Sequence, residues 1–182
     1  IIASITKKWY RNGINLYPNV KTMNNNQGKI FLSPNIKQFL ADEVKSILIG
    51  LLTGLGCGYD HEGIKLICLC VFVVTICYLL VRLGYYKTVV WEITPTQIKS
   101  IHGLLSRKTN YIELYRVIDY AESQSFVQQI LGLKDVYIIS GDHTDPYLRI
   151  FGIPNSMDII NEIKPLVKQT RKENHIYEIA NR

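Results

Sequence analysis

The sequence predicts an α+β fold: an N-terminal two-helix transmembrane hairpin, then an antiparallel β-domain closed by a C-terminal α-helix. Three observations carry this. Two uncharged runs, Ser46–Tyr59 and Leu66–Val81, stand close together and are separated by a short polar turn. From Tyr86 the hydrophobic period changes to two, as strands require. After Asn155 it returns to the helical period, with Met157, Ile160, Ile163 and Val167 on one face.

Residues 1–32 read as a basic arm of low order. "YPNVK" and "NNNQG" show no sustained period, and one short helix near Ile5–Tyr10 is conceivable. The chain begins at Ile1 without an initiating Met and reads as a fragment or a processed product; "IIASI" is too short for a signal peptide. Residues 1–41 hold six Lys or Arg and no acid, so the formal charge of +6 belongs to this end. A basic arm beside a membrane segment fits the positive-inside tendency and anionic cytoplasmic lipid. Nucleic acid is not expected as a partner, because no groove-reading helix or aromatic RNA-binding motif accompanies the arm.

Residues 33–83 form the predicted membrane unit. Ser33 is read as the N-cap and Pro34 as the first helical residue. Ile36, Phe39, Leu40, Val44 and Ile47 give an amphipathic lead-in that lies at the interface and runs into the first apolar helix. "DHEG" (60–63) is the polar turn. Each uncharged run is shorter than the roughly twenty residues of a usual span, but Lys45, Lys65 and Arg82 can snorkel. A re-entrant hairpin is the alternative. The flanking charges put both termini in the cytoplasm, so the expected location is the cell inner membrane, multi-pass. Gly50, Gly54 and Gly58 recur at every fourth position and predict a close helix–helix contact, within the hairpin or in self-association. Cys57, Cys68, Cys70 and Cys77 lack zinc-site spacing and read as small apolar filler.

Residues 84–175 form the predicted β-domain, with a tail at 176–182. Strands are expected at 87–94, 98–103, 104–114, 116–125, 134–140 and 146–153. Gly103 marks a tight hairpin, and "FVQQILG" gives one helical turn ended by Gly132. Asn155 is read as the cap of the last helix, which Pro165 should kink. The 99 residues from 84 onward suffice for one small core.

At this point a resemblance appears. Thr94, Gly103, Leu104, Arg107, Ile112, Leu114, Arg116, Val117, Asp119, Leu131, Gly132, Ser140, Gly152, Ile153 and Asn155 fall where a bacterial pleckstrin-homology-like (PH-like) domain family has its characteristic residues. The Pro34-led helix hairpin is also similar to that family's layout, and the resemblance covers about residues 33–170. It implies a PH-like antiparallel split β-barrel with a C-terminal helix. It implies no enzyme and no particular ligand.

Chemistry is sparse. "GDHTD" (141–145) and "DHE" (60–62) place acids beside a His, but tight turns use the same residues and neither cluster has a second half elsewhere. No nucleophile–base set, phosphate loop or cofactor motif appears, so no cofactor, metal or catalytic residue is expected. The expected function is a membrane-anchored binding or scaffold protein that presents its domain to a protein partner or to the inner leaflet. Lys99, His102, Arg107 and Lys108 on the 99–108 hairpin are the candidate contacts for anionic membrane lipids or for a partner. A specific reader of anionic headgroups is the alternative, and a metal-dependent enzyme a remote one.

Overall fold

The computed structural model describes residues 22–24, 29–59, 61–142 and 146–174. Most of the arm, with the expected Ile5–Tyr10 helix, and the tail lie outside them. Among the described residues the order is β1 (Thr22–Asn24), β2 (Lys29–Leu32), α1 (Ile36–Asp42), α2 (Val44–Gly56), α3 (Glu62–Tyr86), β3 (Val90–Ile93), β4 (Gln97–His102) and β5 (Lys108–Glu113). A 3-10 turn (Leu114–Arg116) follows, then β6 (Val117–Ser123), α4 (Phe126–Leu131), β7 (Leu133–Ser140), β8 (Tyr147–Pro154) and α5 (Ile159–Glu173).

The strands form two antiparallel sheets, β1-β2-β3-β4-β5 and β6-β7-β8. The expected barrel is not closed: the 3-10 turn separates β5 from β6, and the two sheets do not share a ladder. The largest departure from expectation is at the N-terminus. Lys29–Leu32, placed in the arm by the sequence reading, pairs with β3 (Ile30 opposite Ile93, Leu32 opposite Trp91). Ile30 and Leu32 are buried with Trp91, Ile93, Ile98, Ile112, Val136, Ile138 and Ile150 in one core. Four residues are too short a stretch to show a period, which is why the strand was not legible. The β-domain therefore begins before the helices, and residues 84–182 alone do not contain its whole core.

The lead-in is not continuous with the first apolar helix. The cap is Asn35, whose side chain accepts from the Lys37 amide, and Ser33 lies outside the helix. The two helices are separated at Glu43, a buried residue that ends α1 and precedes α2. α3 is the single helix among the described residues that is long and apolar enough to cross a membrane; α2, with 13 residues, is shorter. The two pack along one another.

α4 has a full capping box, Ser125 with Gln128, and ends on Gly132 at φ 68°. The last helix is capped by Asp158, not Asn155, and runs through Pro165 to Glu173. Its buried residues Ile159, Ile163, Val167 and Thr170 cover the core. Thr170 donates to the Pro95 carbonyl at 2.9 Å and Arg171 Nη2 to the Val117 carbonyl at 2.5 Å, so the helix clasps both sheets. Arg171 thus ties the last helix to the start of β6, while Arg116 pairs locally with Glu113 at 3.0 Å.

Candidate functional site

Where the apolar helices meet the β-domain, α1 carries a chain of polar contacts. Its Gln38 is fully buried. Gln38 Nε2 donates to Asp42 Oδ1 at 2.9 Å, and Gln38 Oε1 accepts from Gln128 Nε2 at 3.0 Å. Gln128 also donates to Asp135 Oδ1 at 2.7 Å. Asp135 further accepts from the Gly152 amide at 3.0 Å and from Arg149 Nη2 at 2.5 Å. Burial opposes the Arg149 charge, but the Asp135 carboxylate more than offsets it and raises the Arg149 pKa.

This chain exists because of one irregularity. Between Lys134 and Val136 the β7–β8 register shifts, and Gly152 adopts φ 70°. The bulge lets both Asp135 and Val136 face inward, against strict alternation. A Cβ at position 152 would stand 2.7 Å from Gln38 Cβ, so Gly152 is required by conformation and by space.

The other end reaches α3. The Tyr86 hydroxyl donates to Asp42, and its ring meets Phe39 and Phe151 edge-on at 5.8 and 5.6 Å. Glu43 accepts from Arg82 Nε at 2.6 Å and from Ser46 Oγ at 2.9 Å. Burial pushes the Glu43 carboxyl up, but these partners together with Tyr78 outweigh it and hold the carboxyl below its ordinary value. Second sheet, α1 and the end of α3 are therefore joined by one polar and aromatic path. Sequence reasoning missed Gln38, Gln128, Asp135 and Arg149. Helical and strand periodicity assign Gln38 and Arg149 to the polar side of their elements, so no local signal marked them.

The candidate hairpin residues sit on β4 and β5. His102 stands opposite Lys108 and Lys99 opposite Tyr111, with Lys99 Nζ 5.6 Å from the ring centroid. Arg107 and Lys108 are exposed, while Lys99 and His102 are half-buried. At the tip Gly103 has φ 122°, and a Cβ there would lie 1.9 Å from the Ser106 carbonyl oxygen, so the turn is tightly folded. Leu104 packs on Gly84 of α3: a Cβ on Gly84 would be 3.2 Å from its Cδ1.

Within the helix pair, Gly50 lies against Thr75 and Gly54 against the Phe72 ring. Gly58, past the end of α2, meets only its own turn. Gly56, which the sequence reading did not single out, faces Cys68 most closely. Among the described residues the four cysteines are free, and no three His, Cys, Asp or Glu side chains converge. Asp60, His143 and Asp145, from the two acid–His clusters, lie outside the described residues; Asp142 lies 3.8 Å from Arg116.

Residues 39–167 match the family described as bacterial PH domain. No curated protein and no solved structure matches the chain.

Proposed function

The chain belongs to the bacterial PH domain family, and from that premise we propose that it is a membrane-anchored, non-catalytic binding protein that holds its domain against the inner leaflet. PH domains are binding modules in general, so the coarse part of this reading follows from the family. The anchoring, the leaflet and the contacts are the proposal.

One observation carries it. β2 precedes the apolar helices and β3 follows them, yet they pair in one sheet. The 57 residues between must leave the domain and return to it on the same side. If α3 crosses a bilayer, residues 44–61 must cross as well, although α2 is short. The distance along α3 from Lys65 to Arg82 is about 25 Å, close to the roughly 30 Å of a hydrocarbon core. Most apolar side chains of both helices, such as Leu52, Leu55, Val74 and Leu80, point outward and need lipid. Flanking charge favours the cytoplasmic side for the domain and both termini.

Lys99, His102, Arg107 and Lys108 are the proposed contacts with anionic headgroups, because their hairpin touches the last turn of α3 through Leu104 and Gly84. A protein partner is the second reading. It is favoured by Phe126 and Ile130, exposed one turn apart on α4, away from that hairpin.

The test uses the full chain in mixed phosphatidylcholine and phosphatidylglycerol bilayers, with spin-labelled lipid of each type reporting association. Enrichment of phosphatidylglycerol, lost in the Lys99→Glu, Lys108→Glu double variant, is expected. Equal association of both lipids would refute the leaflet reading and leave the protein partner.

A further inference from the structure

We propose that Leu104 and Leu105, at the tip of the β4–β5 hairpin, form a wedge inserted into the lipid beside the anchor helix. The inference rests on the anchoring proposed above and adds a second, independent point of membrane contact with a different chemistry.

Leu105 is wholly exposed, at 101% of its reference area, and Leu104 is 42% exposed. An aliphatic pair at a hairpin tip is unusual chemistry for a turn, which favours Gly, Asn, Asp and Ser. The backbone that presents it is constrained, because Gly103 at φ 122° closes the turn against Ser106. The depth of the tip is set by its contact with α3. Leu104 fills the notch left by Gly84, and Gly84 is two residues, about 3 Å along the axis, beyond Arg82. Val81, one turn back, is 58% exposed and belongs to the lipid-facing surface. Leu105 therefore lies at the boundary where the acyl region of a bilayer around α3 gives way to headgroups. His102, Arg107 and Lys108 flank it on the same hairpin, where the proposal puts the phosphates. Apolar tips ringed by cations are what interfacial binding to an anionic leaflet uses.

The geometry also gives the wedge a mechanical role. Anchor helix and hairpin tip are two separate points of contact, and two points restrict the tilt of the domain against the membrane more than a single helix end does.

Three single-cysteine variants of the full chain, with Cys57, Cys68, Cys70 and Cys77 replaced by Ala, would carry a nitroxide at Leu105, Thr96 or Val74 in phosphatidylcholine–phosphatidylglycerol vesicles. Thr96 is an exposed residue at the opposite end of β4, and Val74 is exposed at mid-helix. Collision rates with oxygen and with a water-soluble nickel complex report the surroundings. The wedge predicts that position 105 lies between positions 74 and 96 in both collision rates, more nickel-protected and more oxygen-accessible than position 96, which is nickel-accessible. If position 105 resembles 96 while 74 remains in lipid, the wedge is wrong and the anchor stands. If 74 is itself nickel-accessible, the anchor fails and takes the wedge with it. An unlabelled Leu105→Asp chain supplies a check free of the probe: amide exchange across residues 103–107 in vesicles should accelerate on the order of tenfold, and an unchanged rate would overturn the proposal.

Discussion

Asp135 shows how much one residue can hold. It is 3% exposed and accepts from Gln128, from the Gly152 amide and from Arg149. Replacement by Ala leaves four donor groups on three residues without their acceptor, those of Gln128 and Gly152 in the interior. The expected loss is about 3 kcal/mol, read as a lower denaturation midpoint of the full chain in detergent. Gly152 and Gly132 offer a controlled comparison. Both have positive φ, but a Cβ at 132 meets nothing within 4 Å whereas one at 152 meets Gln38. Gly132→Ala should cost about 1 kcal/mol, and Gly152→Ala about 2 kcal/mol more; equal costs would mean that the α1 contact is not rigid. At this scale the sequence was least legible. Gly132 could be read from the helix it ends, but Gly152 and Asp135 depend on a register shift between two strands, and no local pattern encodes that.

At the scale of elements, the junction of α1, α2 and α3 has a pH dependence whose sign follows from Glu43. Its partners hold the carboxyl below the ordinary value of 4.5. Its contribution is therefore complete above that value and disappears as pH falls through the lower, folded-state value. The stability difference between the wild type and Glu43→Gln should be largest at neutral pH and shrink below about 4.5. A difference that grows on acidification would contradict the Arg82 tie. The helix pair gives a second prediction. Gly56→Val would press on Cys68 and separate the helices, lowering the thermal midpoint by several degrees (roughly 1–3 kcal/mol). Gly58→Ala should be near neutral, since its surroundings are only its own turn. Every-fourth spacing places Gly50 and Gly54 on one helical face, and in the structure they lie against Thr75 and Phe72. It could not give the end of the helix, which determines that Gly58 falls outside and Gly56 takes the closest approach.

For the whole molecule, the order of elements in the C-terminal half was legible. Long alternating strands, the Ser125 capping signal and the periodic last helix each report themselves locally. The domain's beginning was not legible, since β2 joins the sheet only through a partner about 60 residues later. A chain starting at Tyr85 should accordingly lack cooperative unfolding, having lost Ile30, Leu32 and the Gln38 bridge, whereas a chain starting at Thr22 should retain it. Calorimetry or near-ultraviolet dichroism distinguishes the two, and a cooperative transition in the shorter chain would show β2 to be dispensable.

The placement of β2 has a consequence in time. A ribosome releases Lys29–Leu32 long before Val90–Ile93 exists, and everything made in the interval is greasy helix. The edge of the early strand that β3 will cover must wait, its hydrogen bonds unmade, until the later strand arrives beside it. It can be met only if the intervening segment has gone out and come back. Under the proposed anchoring, a chain with one helix threaded wrongly would deliver Val90–Ile93 to the opposite face, and the sheet would not zip. Completion of the β-domain core would then report on the correctness of the proposed insertion: a misthreaded copy would display an open strand edge and an unfinished interior, the features by which quality-control proteases recognise their substrates.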